Sequence, residues 1–384
     1  MAGDQKLPTG FLDYSETRRN GFLKVMELKE NGGRIAGVFC TFTPLEMLDA
    51  AGFVPVSLCG MSEETVPEGE KHLPKNLCPL IKSSFGFIAS EKCPYAFFAD
   101  LIVGETTCDG KKKMYELVSD YKKTYILHLP QGDAPYALDM WHKELIRFKD
   151  YLESEFHCMI TDEGLRQAIR MRNAERTEKR RLLELNKSVP AVSFGKEIYS
   201  TIDATGFLFN GEERIEKIRG LCEKLAAEYK EKGSPVPLEA KRILVTGCPI
   251  GGVLDKTVGA VERSGGVVVA FENCAGVKAC LNLVDEAAED PVRAIAERYL
   301  KIGCAVMTPN SGRMGNLRDM ISEFKVDGVI DISLHACTPY LIEDSLVSRL
   351  CKEAGRPCLS VETDYSKSDA EQLRTRIEAF MEML

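Results

Sequence analysis

Along this chain the apolar residues gather in short runs, each closing on a small or polar residue and followed by a stretch with helical spacing. RIAGVFC closes at Cys40, VPVSLC (from Val54) at Cys59, and LIVGETTC (from Leu101) at Cys108, while TYILHLP, from Thr124, closes near Pro130. Runs that are apolar throughout, rather than alternating, are the mark of strands buried on both faces of a parallel sheet. Between them, TPLEMLDAAG predicts a helix with Thr43 as N-cap and Pro44 in its first position. NLCPLIKSSFGF predicts a helix that opens at Cys78 and Pro79, and Cys93 lies in SEKCPYAFF just before the Leu101 strand. FLKVMELKENGG predicts a helix within residues 1–33 that stops on Asn31-Gly32-Gly33.

The pattern changes from about Pro135 to Gly233, where WHKELIRFKDYLESEF, DEGLRQAIRMRNAERTEKRRLLELN and EERIEKIRGLCEKLAAEYKEKG carry helical spacing with dense charge of both signs. GSPVPLEA reads as the linker out of this helical region. The strand–helix rhythm then returns: KRILVTGC closes at Cys248, VVVAFENC at Cys274, GCAVMTPN is a further strand carrying Cys304, and VDGVIDISLHAC closes at Cys337. RPCLSVETDYS, from Arg356, supplies one more strand, and EQLRTRIEAFMEML a terminal amphipathic helix. The fold class expected is α/β, with two Rossmann-like (flavodoxin-like) domains of parallel sheet joined by a helical region. Residues 1–190 form the first domain with a helical extension, and residues 191–384 the second with its leading helix and linker. Strand-then-cysteine pairs Cys40 with Cys248 and Cys108 with Cys337; Cys78 is matched with Cys274, with Cys59 competing for that place.

Composition narrows what these domains do. A chain of 384 residues exceeds one compact core. A net charge of -8 argues against a general nucleic-acid binder. No apolar run is long enough to span a membrane, and the start MAGDQKLPTG lacks the basic and apolar regions of a signal peptide, so a cytoplasmic location is expected. Fourteen cysteines in a reducing compartment call for a role other than disulfides. Cys158 and Cys222, on the helical region, are expected to be core residues. Those in turns among Gly, Pro, Thr and Asn are candidate metal ligands.

No Cys-x-x-Cys occurs, which disfavours a thioredoxin pair, a zinc ribbon and a ferredoxin cluster, and the five histidines are scattered. Widely spaced cysteines, each on its own strand-end loop, suit a larger thiolate-bound inorganic cluster in a cleft between the domains. Thr107, Thr246 and Asn273 offer hydrogen-bond donors nearby. The spacing alone equally allows these cysteines to be small buried hydrophobes.

LPKNLCPLIKSSFG, GETTCDGKKKMYE, VTGCPIGG, ENCAG and HACTPY together resemble the 2-hydroxyacyl-CoA dehydratase superfamily, and within it the homodimeric double-cubane cluster proteins. In the dehydratases each of two unlike subunits holds a [4Fe-4S] cluster by three cysteines, matched here by Cys78, Cys108 and Cys337. The double-cubane branch carries an [8Fe-9S] cluster on six cysteines, and the resemblance adds Cys40, Cys248 and Cys274, with Cys59 and Cys93 in reserve. It implies an oxygen-sensitive homodimer that reduces small molecules with electrons pushed in by a separate ATP-hydrolysing iron–sulfur activator. A dehydratase component with a [4Fe-4S] cluster and a non-catalytic electron carrier are the alternatives.

Other residues fill in the expectation. His335, two residues before Cys337, is a candidate proton donor, as are Glu272 and Glu105, although turn carboxylates usually cap helices. Lys111, Lys112 and Lys113 are candidates for steering an electron donor or offsetting cluster charge, against the plainer reading of an exposed helix face. GCPIGG lacks the spacing of a phosphate-binding loop, so no nucleotide site is expected there.

Overall fold

A computed structural model describes residues 7, 8 and 10–384. In chain order the elements are α1 (Glu16–Glu30), β1 (Arg34–Val38), α2 (Leu45–Ala50), β2 (Phe53–Ser57), α3 (Val66–Gly69), α4 (Pro79–Ala89), α5 (Pro94–Phe98), β3 (Leu101–Glu105), α6 (Asp109–Val118), β4 (Thr124–Leu127) and α7 (Ala137–Phe156). They continue with α8 (Asp162–Glu184), α9 (Gly195–Thr205), α10 (Gly211–Lys232), β5 (Lys241–Gly247), α11 (Val258–Arg263), β6 (Gly266–Glu272), α12 (Val277–Cys280) and α13 (Pro291–Leu300). The last are α14 (Ser311–Glu323), β7 (Gly328–Leu334), α15 (Thr338–Glu353), β8 (Cys358–Thr363) and α16 (Ala370–Met383).

The chain forms two compact units, Met1–Arg170 with Val284–Leu300, and Met171–Leu283 with Lys301–Leu384. The first holds a four-stranded parallel sheet in the order β2-β1-β3-β4. The second repeats it as β6-β5-β7-β8, again all parallel. This is the expected α/β architecture, and the duplication holds strand by strand. The strands are apolar where both faces are covered: the inner strands β3 and β7 and the edge strand β6 are buried along their whole length. Residues 171–190 go with the second unit, and Val284–Leu300 goes with the first, where α13 lies against α7. Polar bonds reinforce that packing, since Arg293 pairs with Asp139 at 2.9 Å and His142 with Asp290 at 3.0 Å.

Local signals landed where the chemistry is simple. The helix α1 stops at Asn31, with Gly32 at a φ of 77° as the left-handed residue that ends it. Two expectations are corrected. GCAVMTPN is not a strand: Cys304 N–H donates to Ile302 O at 3.0 Å, Met307 N–H to Cys304 O at 2.9 Å, and Asn310 Nδ2 to Cys304 O at 2.9 Å. Its backbone groups are satisfied by turns and a side chain, so the run buries Cys304 and Met307 without needing a ladder. Nor does Thr43 cap α2. Pro44 occupies the N-cap position, the Thr43 hydroxyl is spent on Glu105, and the Leu45 N–H is met by Tyr299 Oη at 3.0 Å.

Candidate functional site

In each unit, three successive strands deliver a cysteine just beyond their carboxyl ends. Cys40, Cys59 and Cys108 follow β1, β2 and β3, and Cys248, Cys274 and Cys337 follow β5, β6 and β7. Identical strand order therefore matches Cys59, not Cys78, with Cys274. Cys78 is an addition of the first unit, carried on the segment between β2 and β3. Cys78, Cys108 and Cys337 each occupy the N-cap of a helix (α4, α6, α15), where the unpaired N–H groups favour a negatively charged sulfur.

In the first unit the edge is drawn together around Phe39. The Cys59 thiol donates to Phe39 O at 3.2 Å, and Lys111 Nζ donates to the same carbonyl at 3.2 Å. Burial works against the charge on Lys111, but Tyr115, Cys40, Cys59 and Glu105 outweigh it and hold the ammonium well above its ordinary range. Gly110 brings α6 onto α4, because a Cβ there would lie 2.7 Å from Ile81 and 3.0 Å from Leu77, beside Cys78. Gly60 N–H donates to Ser84 Oγ at 3.0 Å, tying the Cys59 loop to the same helix. Of the three consecutive lysines only Lys111 turns inward. Lys112 and Lys113 are exposed and pair with Asp109 and Glu116 on their own helix.

This edge also holds polar atoms that its own side chains leave unsatisfied. Thr41 Oγ1, Thr107 Oγ1, Tyr115 Oη and Glu105 Oε2 are buried without a hydrogen-bond partner. Burial pushes the Glu105 carboxyl up to about 7, against the pull of Lys111 and Thr43. Such orphans cost about 1–3 kcal/mol each unless a ligand or water meets them. Glu105 is the last residue of β3 rather than a helix cap, and Glu272 is the last residue of β6, so neither carboxylate caps a helix.

The second edge is more fully paired, although Asn273 Nδ2 beside Cys274 is buried with no hydrogen bond among the described residues. Cys248 Sγ accepts from Leu334 N–H at 3.4 Å, and Cys337 N–H donates to Leu334 O at 3.0 Å, so one residue joins the two cysteine loops. Behind them Arg313, fully buried, donates Nε to Glu272 at 3.1 Å, Nη2 to Thr246 Oγ1 at 2.7 Å, and Nη1 to Glu343. Lys278 Nζ lies 3.1 Å from Glu272 and donates to Tyr340 Oη at 2.8 Å. Cys274 and Cys304 are the sulfurs that help stabilise this buried ammonium. Burial would raise the Glu272 carboxyl, but Arg313 and Lys278 overcome it and keep it below its ordinary range. The group is thus a fixed anion. His335 is different: its side chain is 62% exposed and Nδ1 lies 2.7 Å from Glu362.

The other cysteines separate cleanly. Cys93 caps α5 and accepts from Ala96 N–H at 3.5 Å, just ahead of the amino end of β3, at the opposite edge from Cys108. Cys222 is buried on α10 with its thiol pushed by burial to about 11, and Cys158 donates to Leu152 O at 3.5 Å. Among the described residues, no three His, Cys, Asp or Glu side chains converge as a single metal ion would require. Thiolate donors with ammonium groups and orphaned hydroxyls beside them suit an iron–sulfur cluster, whose own sulfides space the protein ligands apart. Arg313, Tyr340, Lys278 and Tyr115 were not legible as part of these edges. Only Lys278, four residues after Cys274, carried a positional hint.

Comparisons with known proteins bear on this arrangement. The family model of the 2-hydroxyglutaryl-CoA dehydratase D-component matches residues 40–384. The putative dehydratase subunit YjiM of Escherichia coli (strain K12) is 44% identical over 384 residues, covering 98% of each chain. The (R)-phenyllactyl-CoA dehydratase beta subunit of Clostridium sporogenes is 24% identical over 391 residues with 100% of each chain covered, and the lactoyl-CoA dehydratase subunit beta of Anaerotignum propionicum is 23% identical over 366, covering 92% of this chain and 93% of its own.

Proposed function

The chain belongs to the 2-hydroxyacyl-CoA dehydratase superfamily, and from that premise we propose that it is an ATP-activated, low-potential iron–sulfur reductase of small molecules. Its cofactor in this reading is an [8Fe-9S] double-cubane cluster on Cys40, Cys78, Cys108, Cys248, Cys274 and Cys337. The observation that supports the reading is the doubling: Cys40 after β1 and Cys108 after β3 recur as Cys248 after β5 and Cys337 after β7, while Cys274 follows β6 and Cys78, at the start of α4, completes the six in place of the β2 cysteine, Cys59. A single cubane with three protein ligands would need only half of them. When bound, the cluster supplies one-electron reduction at low potential.

The chain's own residues do the rest. Lys111 and Lys278 place a positive charge beside the thiolates and offset the charge an added electron brings. Glu272 holds Lys278 in place. His335, exposed two residues before Cys337, is assigned the delivery of protons from solvent. Electrons come from a separate dimeric iron–sulfur ATPase, and the chain works as an oxygen-sensitive cytoplasmic homodimer.

Iron and acid-labile sulfide analysis after anaerobic purification tests this. About eight irons per chain is the expected result, about four indicates a single cubane, and zinc alone overturns the reading. A second reading, a dehydratase component with a [4Fe-4S] cluster, is favoured by the beta-subunit relatives, which align over 100% and 93% of their lengths. Dehydration of a 2-hydroxyacyl-CoA that appears only with an unlike, sequence-related subunit would select it. Reversible redox titration without ATP-linked turnover would instead mark an electron carrier.

A further inference from the structure

One side of α15 is buried against β7 and β8. Its other side is exposed at Thr338, Leu341, Ile342, Ser345, Leu346 and Arg349, whose spacing lines them up as one stripe along the helix. Leu341 is 36% exposed, Ile342 69% and Leu346 40%, and the stripe carries no charge before Arg349. Single exposed leucines are ordinary on a protein surface, but three large aliphatic side chains together on one helix face mark a contact site.

The stripe lies beside the edge of the second sheet, where β8 is the outer strand. Ser360 Oγ donates to Asp344, which sets the middle of the stripe level with the middle of β8. Val329 N–H donates to Pro357 O and His335 N–H to Thr363 O, so alternate residues of β8 bond to β7 and Ser360 points its backbone outward. Arg376 of α16 donates Nη2 to Ser360 O at 2.6 Å and so guards that edge against another strand. The helix face is what remains open to a partner.

Charge divides the same surface end from end. At the carboxyl end of α15 and the turn into β8 stand Arg349, Lys352 and Arg356, all exposed, while Glu353 among them pairs with Arg318 at 3.6 Å. At the far end of β8 stand Glu362, beside His335, and Asp364, 3.9 Å from the nearly buried Lys256. A surface positive at one end, apolar in the middle and negative at the other is complementary to itself when a two-fold axis turns it end for end. An axis beside Asp344 and Ser360 sets Leu341 and Ile342 of one copy against Leu346 and Ser345 of the other, in antiparallel helices about 8–10 Å apart. It also turns Arg349 and Lys352 toward Glu362 and Asp364 of the second copy.

We propose that a second copy of this chain docks here, through an isologous contact of α15 with α15 that buries Leu341, Ile342 and Leu346 between two sets of ion pairs. The inference rests on the homodimer of the proposed function, whose contact face that reading leaves open, and not on its cluster. In the pair the two Cys337 helix caps stand about 20 Å apart along the helices, so each copy keeps its own cysteine edge.

Sedimentation equilibrium of the anaerobically purified full chain, across a dilution series, is the test. The expected result is a dimer whose dissociation constant rises about a hundredfold or more in Ile342→Glu, because the two-fold axis places that carboxylate twice in the apolar centre. Arg349→Glu should weaken the dimer about tenfold or more, and adding Glu362→Arg to the same chain should restore it to within about threefold, a recovery that misfolding would not give. A monomeric parent, including one that associates only with the separate iron–sulfur ATPase, overturns the proposal together with the homodimer. A dimer that Ile342→Glu leaves unchanged overturns the face alone, and a double variant that does not recover overturns the two-fold pairing. Iron is measured on the same samples, so failure of the cluster reading shows separately, and circular dichroism checks that each variant is folded.

Discussion

Replacing Arg313 by methionine should be among the most damaging single changes in the second unit. The guanidinium is fully buried and serves Glu272, Glu343 and Thr246 at once, with its Cζ 5.1 Å from the Tyr340 ring centroid. Methionine keeps much of the volume, so the cost is electrostatic. Glu272 would retain Lys278 at 3.1 Å and Thr246 at 2.6 Å, but Glu343 would keep only Asn310 Nδ2 at 2.6 Å. Breaking a buried pair from one side costs about 3–5 kcal/mol, a large share of the roughly 5–15 kcal/mol that holds a domain together. For a unit of roughly 200 residues that is a fall in Tm of about 6–20 °C. In the parent protein the folded Glu272 carboxyl is depressed, so its contribution is present above its unfolded value and is lost as pH falls through the folded one. Without Arg313 burial prevails and the shift reverses, giving a penalty above the new value that disappears on acidification. The gap between parent and variant should therefore narrow as pH falls. Hydrogen exchange of peptides from β5, β6 and β7 against urea reads this directly. Fluorescence of Trp141, the sole tryptophan, reports the first unit and serves as the control. A loss below about 1 kcal/mol, or a gap that does not change with pH, would refute the reasoning.

Three further outcomes are expected. Cys108→Ala should lose about half or more of the bound iron, whereas Cys222→Ala, buried on α10 with its thiol on Glu178 O, should keep all of it by colorimetric iron assay. Lys111→Gln removes a positive charge beside Cys40 and Cys59 and should lower the reduction potential by on the order of 50–100 mV in a spectroscopic redox titration. Gly86→Ala would put a Cβ 2.0 Å from Thr65 O, forcing α4 off its seat and costing about 1–3 kcal/mol in urea unfolding.

Much of the architecture was legible because it rests on local or one-dimensional rules. Runs such as LIVGE and VVVAFE announce strands buried on both faces, and a cysteine before a proline or an aspartate announces the helix start at Cys78 and Cys108. GCAVMTPN misled because four apolar residues in a row satisfy the strand pattern equally well when turns and Asn310 supply the hydrogen bonds. Matching Cys78 with Cys274 failed for a related reason: letters do not carry strand order.

Period and punctuation are properties of consecutive residues, so the letters already carry the α/β class, the duplication and the cysteines at strand ends. Which side chains share an edge is set by packing between segments far apart in the chain. The inward turn of one lysine out of three, the burial of Arg313 and the unpartnered Asp331 all depend on neighbours distant in the chain, where desolvation and pairing set the energy.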